Sequence, residues 1–101
     1  MEDEIQEITK QIIEKYHPEK IILFGSAARG ETDSGSDADF LIIKQDTPHY
    51  GADRIRELSR IIKRNIPVDF LIYRPGEFNK RVEMGDPFLK SILKEGKVLY
   101  G

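Results

Sequence analysis

The stretch KIILFGSAARG, Lys20 to Gly30, followed after a polar segment by DADF, Asp37 to Phe40, decides how this chain is read. Ile21 to Phe24 are apolar on successive rather than alternate residues. Such a run belongs to a strand covered on both faces, so Lys20–Phe24 is expected to be central in a sheet. Gly25-Ser26 breaks the run, and Ala27 to Gly30 can form a short helical turn. The loop from Glu31 to Ser36 follows, with Asp-Ser-Gly-Ser at 33–36 as a turn. Ala38 to Lys44 is then a second strand with Phe40 to Ile43 as its body.

Working outward, Ile5, Ile8, Ile12, Ile13 and Tyr16 recur at helical spacing from Glu2 to Tyr16, with acids in the first turn as the helix dipole prefers. His17-Pro18 ends that helix, because the residue before proline is pushed out of the helical region. Ile55, Leu58, Ile61 and Ile62 predict a second helix over Ala52–Asn65, with Arg54, Arg56, Arg60, Lys63 and Arg64 on its outer face. Val68 to Tyr73 reads as a third strand, interrupted by one polar residue, Asp69. A carboxylate inside such a strand is expected to be buried, and therefore paired or metal-bound. Pro75-Gly76 reads as a turn, Glu77–Met84 as a short helix, and Asp86 as the N-cap of a last helix with Pro87 at its first position and Gly96 at its stop. Lys97 to Tyr100 is expected to close as an edge strand.

The chain of 101 residues is expected to be one domain, 1–101, of mixed α+β architecture, with a sheet flanked by helices. Its net charge of −2 excludes the general cationic surface that captures long polyanions. The absence of cysteine excludes disulfides, thiolate catalysis and thiolate metal sites, leaving oxygen-liganded metals. The N-terminus is acidic where a signal peptide would be basic and then apolar, and no apolar run has spanning length, so a cytoplasmic protein is expected.

Asp37, Asp39 and Asp69 lie near the starts of two strands. The period of two along a strand puts Asp37 and Asp39 on one face. With Asp69 facing them, the three could hold two Mg²⁺ ions roughly 3.5–4 Å apart, the spacing that serves in-line displacement at phosphorus. Opposite, the backbone N–H groups around Gly25 and the Ser26 hydroxyl would meet phosphate oxygens, and a side chain at Gly25 would block that approach. The stretch is therefore expected to hold a metal-bound nucleoside triphosphate. It is not a P-loop, since Glu31 stands where the lysine belongs. Nor is it an EF-hand, because a loop counted from Asp33 puts Ala38 and Lys44 at the positions of the glycine and the closing acid.

Gly25-Ser26, ten residues, Asp37-x-Asp39 and a later lone Asp69 resemble the signature of the DNA polymerase β-like nucleotidyltransferases. The longer match, GSAARG with SDADF, and the ending from Asp86-Pro87 through Glu95-Gly96-Lys97-Val98-Leu99-Tyr100 are similar to the stand-alone minimal nucleotidyltransferases, commonly the antitoxin partners of HEPN-domain toxins. The resemblance implies a catalytic set of Asp37, Asp39 and Asp69 on Mg²⁺, a triphosphate held by Gly25 and Ser26 with Arg29 on the family's arginine, and transfer of AMP from ATP to a tyrosine of the toxin. A non-catalytic antitoxin that acts by covering its partner, or an adenylyltransferase for a small molecule, are the other readings. Larger members carry an added domain for the acceptor. Here the acceptor is expected to come from another chain, a HEPN partner or a second copy, docked through apolar residues such as Phe78, Met84 and Phe88; the alternative is that these are core residues, and for Phe88 core is the expected reading.

Overall fold

The computed structural model describes residues 2–30 and 37–101; the turn read at 33–36 lies outside them. The elements are α1 (Glu2–Tyr16), β1 (Lys20–Phe24), β2 (Ala38–Ile43), α2 (Gly51–Ile61), β3 (Val68–Tyr73), α3 (Pro75–Glu83), α4 (Pro87–Glu95) and β4 (Lys97–Tyr100). The sheet runs β3-β2-β1-β4. β1 pairs antiparallel with both neighbours, and β2 and β3 are parallel, joined through α2. Thus β1 is interior and β4 lies at an edge, as the apolar run and the short C-terminal segment predict.

Helices cover both faces. Ile21, Leu23, Phe40, Ile42, Phe70 and Ile72 pack with Ile8 and Ile12 of α1 and Leu58 of α2. Ile22, Leu41 and Ile43 pack on the other face with Phe78 of α3 and Leu89 and Ile92 of α4. Burying both faces explains why β1 and β2 lack alternation. α1 stops at Tyr16, and His17, ahead of Pro18, takes a positive φ of 54°. Gln11 fastens α1 across the layer, its side chain donating to the Lys63 carbonyl at 2.7 Å and accepting from the Lys63 N–H at 2.8 Å.

Several expectations are corrected. Arg54 is not on the outer face of α2: it is 3% exposed and falls in one inward stripe with Leu58 and Ile62. Its guanidinium donates to the carbonyls of Pro48, His49 (2.9 Å) and Ile72 (3.1 Å) and to both oxygens of Glu77 (2.7 and 3.1 Å). That pairing holds the Glu77 carboxyl down at about 2, helped by the Arg74 N–H. Turning Arg54 inward leaves Ile55 and Ile61 partly exposed, and α2 ends at Ile61 rather than Asn65 because Ile62 is already extended. Pro75-Gly76 is no separate turn but the first turn of α3, where proline's missing N–H costs nothing. Phe78 is core, at 8% exposure, whereas Phe88 is 49% exposed and Met84 76%. Of the three residues offered as a docking surface, Phe78 is therefore withdrawn, and Phe88, expected to be core, is instead half exposed, because it sits at the second position of α4 with only Phe24 against its ring.

Candidate active site

The sheet topology itself gathers the site. Because β1 and β2 are antiparallel, the last residue of β1 meets the first turn of β2, and Phe24 stands opposite Asp39. Because β2 and β3 are parallel, Asp39 stands beside Asp69 in register. Register partners point to the same face, so Asp39 and Asp69 project together on the side covered further along by α3 and α4. The Ala38 N–H, bonded to the Pro67 carbonyl at 3.1 Å, fixes that register at its start.

Gly25 follows Phe24 with φ of +73°, and a Cβ placed there would lie 2.3 Å from Asp39 Oδ2. The glycine is therefore required by the Asp39 carboxylate. Ser26 to Gly30 then curl into a turn, with Arg29 N–H donating to Ser26 O at 3.1 Å and Gly30 N–H to Ala27 O at 3.2 Å. The short helical turn read from the sequence is present as these two bonds. Ser26 is partly buried and Arg29 exposed on the outside of the turn. Alanine at position 25 would strain φ by about 1–2 kcal/mol and push Asp39 aside. We expect Gly25→Ala to fold with a modest loss of thermal stability and to lose about 10²-fold in transfer rate, as misplacement of a reacting group by about 1 Å does. Near-native turnover by this variant, measured beside its unfolding curve, would show that the position of Asp39 is not critical.

The carboxyl of Asp39 is held above its ordinary value, first by burial, then by the charges of Asp69 and Asp37, and by a hydrogen bond with Asp69. Like charges this close favour a shared proton or a cation. An all-oxygen donor set under mutual repulsion suits a hard divalent ion, which would relieve the crowding that raises Asp39. Among the described residues no group of three or more His, Cys, Asp or Glu side chains is gathered closely enough to hold a metal ion, so the three-carboxylate set expected from the sequence is not assembled here. The structure assembles the Asp39–Asp69 pair with Asp37 one residue outside β2. Asp69 differs from expectation in one respect: it is exposed, not buried. It sits at the open end of β3, where α3 and α4 do not reach, so its place in an apolar strand reflects the strand's edge position rather than an enclosed charge. A cleft of about 140 Å³ continues from Gly25 along α4, and includes Phe24, Arg29, Phe88 and Glu95. Neither this cleft nor the larger hollows, of about 520 Å³ against α1 and about 710 Å³ along the α3–α4 turn, is lined by Asp37, Asp39 or Asp69; the cleft alone reaches Gly25, next to Asp39.

Residues 4–100 match the nucleotidyltransferase domain family, and the chain belongs to it. It is a nucleotidyltransferase, and enzymes of this kind draw on a nucleoside triphosphate and a divalent metal ion. Among known proteins, one from Methanocaldococcus jannaschii named "Putative protein adenylyltransferase" is 34% identical over 101 residues, 98% of this chain and 97% of its own. A crystal structure of a "putative nucleotidyltransferase" from Sulfolobus solfataricus shares the fold, with a TM-score of 0.63 at 24% identity over 95% of this chain and 76% of that one. Among the described residues no helix is long and apolar enough to cross a membrane.

Proposed function

We propose that the chain transfers the AMP group of ATP to a tyrosine hydroxyl of a HEPN-family toxin, and so acts as its antitoxin. The observation that carries the reading is the in-register pair Asp39–Asp69 beside a glycine that admits no side chain. The similarity to a chain named for protein adenylylation supports a protein acceptor. Met84, the most exposed large apolar side chain described, is a contact suited to that partner.

In this reading Gly25, Ser26 and Arg29 position the triphosphate, while Asp37, Asp39 and Asp69 would hold two Mg²⁺ ions. Bound there, the ions would supply charge neutralisation on the triphosphate and on the departing pyrophosphate. The acceptor oxygen forms a bond to the α-phosphorus as the bond to the bridging oxygen breaks. Pyrophosphate leaves with that electron pair, and Asp69, exposed at the site, accepts the acceptor's proton. The triad orients the reacting atoms in line, so positioning and electrostatics supply the rate rather than covalent chemistry.

Incubation with α-labelled ATP, Mg²⁺ and a HEPN partner tests the proposal, with Asp37→Ala and Asp39→Ala as controls. Label is expected on the partner with the wild-type chain and in neither variant. Label that persists in both variants would sink the assignment of the carboxylates. Tight binding of the partner without label would mean neutralisation by contact alone.

A further inference from the structure

Phe88 stands where an apolar side chain has little structural reason to be. It occupies the second position of α4, held there by its own N–H, which donates to the Asp86 carboxylate at 2.9 Å. Its ring meets Phe24 nearly at right angles, with centroids 5.8 Å apart and an interplanar angle of 86°, and about half of the residue remains exposed. In an edge-to-face pair at most one face of either ring is used, so Phe88 keeps a face for another partner. Phe24 is the register partner of Asp39 and the neighbour of Gly25. The free ring is thus within two side chains of the carboxylate row.

The cleft between Phe88 and Gly25, which stops short of the carboxylates themselves, has a polarity. Arg29 lines it on the turn side, next to Gly25; Ser91 and Glu95 line it along the same stripe of α4 as Phe88. A triphosphate is repelled by Glu95 and attracted toward Arg29, whereas a flat uncharged ring is favoured against Phe88 on the helix side. We propose that Phe88 is the stacking platform for the nucleobase of the bound nucleoside triphosphate, and that its large face favours purines over pyrimidines. The proposal rests on the nucleotide-binding reading above and adds the base site to it.

Base–aromatic stacking is generally lost at about tenfold or more in affinity when the ring is removed. Titration calorimetry of the intact chain with ATP, UTP and inorganic tripolyphosphate, each with Mg²⁺, reads the base contribution directly. Wild type is expected to bind ATP about tenfold more tightly than tripolyphosphate, with UTP between them. Phe88→Ala should bring ATP down to the level of tripolyphosphate and leave tripolyphosphate itself unchanged, while Phe88→Tyr retains the gap. Phe88→Leu keeps apolar bulk on Phe24 without a π face, and so should behave as the alanine variant does. Equal affinity of wild type for ATP and tripolyphosphate, or an equal loss of both ligands in Phe88→Ala, would overturn the platform while leaving the triphosphate site standing. Failure of the wild-type chain to bind either ligand would remove the nucleotide reading and the platform together.

Discussion

Asp39→Asn is expected to lower AMP transfer by roughly 10³-fold, the equivalent of about 4 kcal/mol of transition-state stabilisation, while leaving the fold intact. Asparagine has the shape of aspartate, so it fits against Gly25, whose missing Cβ would otherwise lie 2.3 Å from the side-chain oxygen. Only the charge is lost, and with it the strongest reason for a divalent ion to sit in the row. In the absence of metal the variant should be at least as stable as wild type. The carboxyl of Asp39 is held up by burial and by the charges of Asp69 and Asp37, and removing one of three crowded acids relieves that repulsion. Addition of Mg²⁺ should reverse the order: the wild-type chain gains stability by mass action, about 2.7 kcal/mol at a hundred times the dissociation constant, and the variant gains little. Paired thermal melts with and without Mg²⁺, beside the transfer assay, check both statements. A variant that retains wild-type turnover would remove Asp39 from the chemistry.

The second large effect is structural. Arg54→Leu should cost about 3 kcal/mol, chiefly because buried carbonyls lose their donor, which for a chain of this length is a fall in Tm of roughly 15 °C. Leucine fills part of the space but leaves the carbonyls of Pro48, His49 and Ile72 without their donor. The Arg54–Glu77 pair also sets a pH dependence whose sign is fixed by Glu77. Its folded value, about 2, lies below its ordinary 4.5, so the stabilisation is present above 4.5 and lost as the pH falls from there toward 2. The Glu77 side chain is 40% exposed, so solvent screening makes the loss smaller than the shift alone would imply. Denaturant unfolding at pH 7 and pH 3 should show a steeper acid loss in wild type than in Arg54→Leu. Parallel pH profiles for the two proteins would mean that the pair contributes nothing to stability.

Much of this arrangement was legible in the sequence because it depended on local rules. The successive apolar residues of Lys20–Phe24 fixed an interior strand, Tyr16 before His17-Pro18 fixed the end of α1, and Asp86-Pro87 fixed the start of α4. The spacing of Asp37, Asp39 and Asp69 from strand starts was also local, and a parallel β2–β3 pair was enough to bring the last two together. What escaped depended on contacts between elements. Arg54 looks like one of five basic residues on a solvated face; nothing within α2 reveals that three carbonyls and Glu77 wait for it on the inner side. Asp69 looked buried because its strand is apolar, yet burial there depends on how far α3 and α4 extend across the sheet. Phe78 and Phe88 are alike in sequence. The packing of α3 and α4 encloses one and leaves the other half open.

Arg54 and Asp39 act at opposite ends of the same two strands. Asp69 and Ile72, the β3 residues nearest to each, are three positions apart, roughly 10 Å. Changes at that distance with no shared partner generally add. The domain can therefore be hardened at its Arg54 end, by better packing or by further bonds to the loop after β2, without retuning the chemistry at the other. It can likewise lose the charge of Asp39, proposed for catalysis, without loosening, which gives a lineage two independent ways to drift: toward a sturdier enzyme, or toward an inert scaffold of the same shape.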